Sequence, residues 1–281
     1  MIKLSSHPLA DFVRFLRHPT AERLSGEFKR SLTLLVLIVA LDILLTSFTS
    51  PLTDWLIGLS GFSDEGVIQS EEMNLIFFIS GVVLVPLIEE VSFRLGLAPN
   101  LGFLFLSLFL GSIQFAPSPF AGLFTEDALL VLSKSLFYLA IAGGITLFFW
   151  VRQRRGHPYT DFFYRYVGVY YYVGAVLFAL PHLGNYANQP TWWLAPFLVL
   201  PQFIGGLSFG YLRIRLGFWY GVVAHMLINL LYHLGDLMNQ LFGAQGGVVW
   251  LLVLIGFSLL VIVVPIFRRT VREAGSPSSI S

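Results

Sequence analysis

Long apolar runs, each interrupted by a short polar or charged connection, follow one another from residue 31 to residue 266. A helix needs roughly 17 to 25 mostly apolar residues to cross a hydrocarbon core about 30 Å thick. By that measure the pattern predicts eight spans, near 31–49, 74–95, 100–116, 129–150, 168–187, 193–212, 216–235 and 247–266. The expectation is an all-α polytopic membrane bundle of about eight transmembrane helices. Residues 1–30 and 267–281 form flanking tails, and the Ser-rich GSPSSIS end reads as disordered. No internal repeat is visible, and the short connections favour one bundle over two domains.

Composition agrees with a bilayer environment: 56% of the 281 residues are hydrophobic, 12% are charged and the mean hydropathy is +0.77, far from a soluble domain. The net charge of +1 hides an uneven distribution. Lysine and arginine gather in the N-terminal tail, in the 151–167 connection (Arg152, Arg154, Arg155, Arg165), at Arg213 and Arg215, and at Arg268, Arg269 and Arg272. Loops 50–73, 117–128, 188–192 and 236–246 have none, so the positive-inside rule assigns both termini to the cytoplasm. The first of these loops is acidic (Asp54, Asp64, Glu65, Glu71, Glu72) and reads as an ordinary solvated outer loop. A cleavable signal peptide is not expected, because no early apolar run precedes a small-residue site. The stretch ADFVRFLR sets Phe12, Val13, Phe15 and Leu16 among arginines. It either lies flat on an anionic leaflet or belongs to a mobile polar tail. The absence of cysteine excludes disulfides, a thiol nucleophile and a thiolate-ligated metal.

Ionisable groups inside a bilayer are costly, and each is expected to have a partner or a task. Here they are Asp42, Glu89, Glu90, Arg94, Lys134, His182 and His225, accompanied by Asn229. In VPLIEEVSFR, Glu90 and Arg94 are four residues apart and share a helix face, whereas Glu89 is turned about 100° away. Arg94 can therefore neutralise Glu90 and leave Glu89 free; the alternative is that both acids sit at a fraying helix end. In FALPH, Phe178 is one turn from His182, and Pro181 cannot donate to the carbonyl of Leu177, which opens the helix beside the imidazole. In HMLIN, His225 and Asn229 share one face, either towards a cavity or as interhelical hydrogen-bonding groups. Counting residues, Glu89 lies about 22 Å from its outer entry and His225 near mid-span. His182 lies about 15–18 Å from the cytoplasmic side if Tyr170, Tyr171 and Tyr172 mark the interface and TDFFYRY lies along it. The three groups can then converge near the midplane. His233 and Asp236 read as interfacial, and the small-residue spacing of Gly206 and Gly210 reads as a helix-packing surface.

The order EExxxR, FxxxH, HxxxN on separate helices, here EEVSFR (89–94), FALPH (178–182) and HMLIN (225–229), resembles the CPBP family of CAAX prenyl proteases and bacteriocin-processing (Abi) intramembrane proteases. The resemblance covers about residues 74–235. It implies that Glu89 activates water with His182 as its partner, that His225 and Asn229 hold the substrate carbonyl and its oxyanion, and that Glu90 and Arg94 support them. Two features depart from the family pattern. Leu95 and then Gly96 follow the arginine where glycine is usual, and the long interval from Glu89 to His182 suggests an additional helical hairpin at 100–165.

Peptide hydrolysis requires a base for water and donors at the developing oxyanion, and these residue types supply both. Glu89, His182 and His225 would also make a zinc set with one position for water, but HExxH is absent, and a mechanism with no cofactor is preferred to one using Zn. Competing readings are a proton-coupled transporter in which Glu, His and Asp42 relay protons, and a noncatalytic immunity or scaffold protein on the same bundle. The expected partners are a membrane-associated peptide or protein, prenylated or not, and the lipid bilayer; nucleic acid is not among them. The expected location is multi-pass in a bacterial inner membrane, with the oligomeric state left open.

Overall fold

The structure, a computed structural model, describes residues 2–3, 8–25, 28–60, 75–114, 128–185 and 193–275. Asp64, Glu65, Glu71 and Glu72 of the acidic loop, residues 117–127, residues 188–192 and the SPSSIS end lie outside the described residues. The described chain is helical apart from one parallel pair of two-residue strands, β1 (Ile2–Lys3) and β2 (Leu24–Ser25). The helices are α1 (Pro8–Arg17), α2 (Phe28–Ser60), α3 (Leu75–Ile79), α4 (Val85–Arg94), α5 (Leu101–Gln114), α6 (Ala128–Arg154), α7 (Tyr159–Ala179), α8 (Ala195–Leu198), α9 (Leu200–Arg215), α10 (Phe218–Phe242) and α11 (Ala244–Gly275). A π turn (Ser80–Leu84) joins α3 to α4, and a 3-10 segment (Leu180–Asn185) continues α7.

Every predicted span is mostly helical in its described part, but the spans are not equivalent. Five helical stretches are long and apolar enough to cross a membrane: Phe28–Leu59, Leu132–Arg154, Tyr159–Asn185, Phe218–Phe242 and Ala244–Phe267. The remaining three fall short of the expectation of eight. Residues 75–94 are divided by the π turn, α5 has 14 residues and α9 has 16. For α9 the reason is its position. It packs against α7, α10 and α2, and most of its C-terminal two-thirds is buried, so protein rather than lipid surrounds it.

Close approach of α9 to α7 depends on two glycines. A Cβ at Gly206 would stand 3.0 Å from the Cα of Ala175, and one at Gly210 would stand 2.9 Å from the Tyr171 ring. The GLSFG surface therefore joins two helices of one chain, and the Tyr171 hydroxyl donates to the Leu207 carbonyl across the same seam at 2.8 Å. The hairpin α5–α6 lies to one side. Its first helix packs on α4, and its second on α5 and α7.

The segment containing ADFVRFLR is helical, and its apolar face meets protein. Phe12 packs against Tyr211 and Phe15 against Tyr171 and Tyr211, with ring centroids 4.9–5.1 Å apart. Asp11 accepts from the Tyr211 hydroxyl at 2.9 Å and lies 3.6 Å from Arg215 Nε. Arg215 also donates to the Glu22 carbonyl at 2.7 Å and to Thr20 Oγ1 at 3.1 Å. Val13 remains exposed. Arg213 and Arg215, which the charge pattern treats as loop residues, are both buried and tie the end of α9 to its neighbours.

The glycine seam gives a direct check. Gly206→Val forces a branched side chain onto the backbone of α7 and is expected to destabilise the bundle by about 1–3 kcal/mol. The loss is read as a lowered unfolding midpoint in detergent, with Gly256→Val, at a position with open space, as the neutral control.

Candidate active site

Pro86 near the start of α4 governs the local backbone. Val85 donates its N–H five residues back to Ser80, as a π turn requires, and Pro86 has no N–H to give. The carbonyl of Gly81 is thus left without a helical donor. Asn229 of α10 supplies one, through Nδ2 at 2.9 Å. The absence of a side chain at Gly81 also leaves room for His233, because a Cβ there would fall on its imidazole.

At the other end of α4, Arg213 donates to the carbonyls of Arg94 and Leu95 at 3.1 and 3.3 Å, capping the terminal carbonyls that have no partner within the helix. The acid pair is held between these two constraints. Glu90 is fully buried, and its Oε1 accepts from His225 Nδ1 at 3.0 Å while lying 3.1 Å from Arg94 Nη1. The Arg94 contact is an ion pair without hydrogen-bond alignment. The guanidinium instead lies over the Phe178 ring, 3.7 Å from its centroid. A cation between a carboxylate and an aromatic face is stabilised by both.

Glu89 is turned away from that pair, as the helical spacing predicts. One carboxylate oxygen lies 3.8 Å from His182 Nε2 and the other 3.5 Å from His225 Nε2. His182 sits on the 3-10 segment, where the α-helix has loosened beside Pro181, and its Nδ1 donates to the Phe178 carbonyl at 3.0 Å. His225 is held by Glu90 through Nδ1. Both imidazoles are therefore fixed through Nδ1 and turn Nε2 towards Glu89. Aromatic rings complete the frame: Phe209 stacks on His225 with centroids 4.6 Å apart, and Phe178 packs edge-on against both histidines.

Glu89, His182, His225 and Asn229 line one cavity of about 450 Å³, together with Asp42, Gln202, Tyr232 and apolar neighbours. Glu90 and Arg94 lie behind its wall. The structure thus gathers the four residues that the sequence patterns single out. Among the described residues, none of α5 or α6, Lys134 included, lines this cavity, and the hairpin accounts for the long interval between Glu89 and His182. His233 and Asp236 pair with one another at 3.5 Å. Sequence reasoning missed the bond between Glu90 and His225, the stacking role of Phe209 and the cap made by Arg213. It also missed that one Asn229 hydrogen is committed to Gly81. Among the described residues, no group of three or more His, Asp or Glu side chains is arranged to hold a metal ion.

A family model described as "Type II CAAX prenyl endopeptidase Rce1-like" matches residues 71–231, more than half of the chain, including Glu89, Glu90, Arg94, His182, His225 and Asn229. The chain belongs to this Rce1-like family of CAAX-type intramembrane endopeptidases, which act on membrane-associated proteins, and it is an integral membrane protein. No curated protein and no solved structure matches the chain significantly.

The buried pair predicts its own mutational signature. Arg94→Met leaves Glu90 buried without its cation and is expected to cost about 3–5 kcal/mol. Adding Glu90→Gln removes the stranded charge and is expected to recover part of that loss. Equal destabilisation by the single and double variants, measured by thermal unfolding, would show that Arg94 acts through packing alone.

Proposed function

We propose that the protein hydrolyses a peptide bond of a membrane-associated substrate by a glutamate-activated water. The observation that carries this reading is the position of Glu89, whose two oxygens face the Nε2 atoms of two imidazoles that are each anchored through Nδ1. Separations of 3.5 and 3.8 Å exceed a direct hydrogen bond and suit a shared water.

In this mechanism Glu89 takes a proton from the water, with His182 orienting it, and the hydroxide adds to the carbonyl carbon. Negative charge then develops on the carbonyl oxygen. His225, as imidazolium, and the second amide hydrogen of Asn229 donate towards it. The Glu89 carboxyl returns its proton to the departing amide nitrogen as the carbon–nitrogen bond breaks, giving a carboxylic acid and an amine, and the acid's proton then passes to the amine through water. Glu90 fixes the histidine ring, and the Gly81 carbonyl fixes the asparagine.

The substrate we favour is a prenylated peptide with a CAAX end, by analogy with the family. The lysine and arginine distribution supports cytoplasmic termini, and the membrane we favour is a bacterial inner membrane. The preferred mechanism uses no metal.

Purified Glu89→Gln is expected to lose at least about 100-fold in kcat on a farnesylated CAAX peptide while keeping its unfolding midpoint. Normal cleavage by that variant would falsify the assignment. Activity is also expected to survive dialysis against a chelator. Stoichiometric zinc, with activity lost on its removal and regained on its return, would replace the metal-free mechanism with one in which Glu89, His182 and His225 are ligands.

A further inference from the structure

The cavity that holds Glu89 has a second polar region that the hydrolytic steps do not use. Asp42, Thr46 and Thr53 are placed along one face of α2 by their spacing, Gln202 comes from α9, and Tyr232 follows Asn229 by three residues on α10. All five line the cavity.

Its hydroxyl groups are occupied within the protein. Ser208 donates to Asp42 Oδ1 at 2.8 Å, and Asp42 is 2% exposed. The Thr53 hydroxyl points to the carbonyls of Thr49 and Phe197 at 3.0 Å. The Thr46 hydroxyl lies 2.9 Å from the Asp42 carbonyl and 2.5 Å from the Tyr232 hydroxyl. The hydroxyl donors are thus committed within the protein, whereas acceptors are left over. Asp42 has no basic side chain in ion-pair contact among the described residues, and Gln202 Oε1 is buried with no hydrogen-bond partner among them. Such an atom costs free energy unless something donates to it.

We propose that Asp42 and Gln202 form a substrate subsite that accepts hydrogen bonds from backbone N–H groups of an extended peptide beside the scissile bond. An extended chain presents carbonyls and N–H groups in alternation. The histidine and asparagine side of the cavity offers donors for a carbonyl, and the α2–α9 side offers acceptors for the neighbouring amides. The assignment rests on the hydrolytic reading and adds the means by which the chain would be held in register. Asp42 then serves as a binding residue, with no part in moving protons across the bilayer.

The test measures binding to the full-length Glu89→Gln protein, so that the probe stays intact. The probe is a fluorescent farnesylated peptide ending in a CAAX sequence, together with a set in which each backbone amide is N-methylated in turn. Gln202→Met, which keeps the volume and removes the acceptor, is expected to weaken binding of the parent peptide roughly 5- to 30-fold, the worth of a hydrogen bond in a site closed to water. One N-methyl peptide is expected to show the same loss on the Gln202 protein and no further loss on Gln202→Met. Asp42→Asn is expected to couple in the same way to a different amide. The unfolding midpoint of Gln202→Met without peptide should be unchanged or higher, because an unpaired buried polar atom has gone. Independent, additive losses, or no loss, overturn the subsite and leave the hydrolytic reading standing. Tighter binding of a lysine-substituted peptide that depends on Asp42 also overturns it, in favour of a cation site. Failure of the parent peptide to bind at all overturns both.

Discussion

The arrangement depends on one fully buried carboxylate. Glu90 has exchanged water for an imidazole nitrogen at 3.0 Å and a guanidinium at 3.1 Å, and its bond to His225 ties α4 to α10. Because Arg94 belongs to the same helix, its cation travels with the acid. The histidine does not, and the bond to His225 therefore converts a local pair into a constraint between two helices. That constraint decides which nitrogen of His225 is available to the cavity. It also leaves the adjacent Glu89, turned by one residue's rotation, as the acid that faces open space. Two neighbouring carboxylates thus have different environments because a helix turns between them.

The supporting shell works by removing freedom at both ends of a ten-residue helix. Pro86 imposes the π turn, which exposes a carbonyl that only a side chain from another helix can satisfy, and Asn229 is thereby oriented. Arg213 closes the far end. Neither feature touches the reacting groups, yet each fixes a position that chemistry within about half an ångström requires. The apolar rings of Phe178 and Phe209 complete this by excluding water from the backs of both imidazoles while carrying Arg94 on one face. Burial of so much charge is tolerable because each group has a partner supplied from close range.

How far the sequence could be read follows from the range of each interaction. The pairing of Glu90 with Arg94 and the divergence of Glu89 were legible because helical geometry alone sets them. The common face of His225 and Asn229 was legible for the same reason, as was the loosening at Pro181. The bond from His225 to Glu90 spans 135 residues and had no local sign. Nor did the link from Asn229 to Gly81, although Pro86 in an apolar run marks where a carbonyl must find an outside donor. The count of eight spans was not legible at α9, because an apolar run of 16 residues has the same composition whether lipid or protein surrounds it. ADFVRFLR was ambiguous in the same way: its apolar stripe fits a leaflet and a pair of tyrosines equally well.

The docking of α1 has a consequence for how the molecule is made. Asp11 bonds to a tyrosine 200 positions further along, and Phe15 rests against rings from α7 and α9. During synthesis this segment leaves the ribosome long before either helix has been inserted, so its apolar face has no native surface to cover it. Closure of the end of the bundle that α1 covers is consequently a late event in biogenesis. Until α9 is threaded, the nascent chain carries an uncovered aromatic stripe that membrane surface or chaperone must shelter.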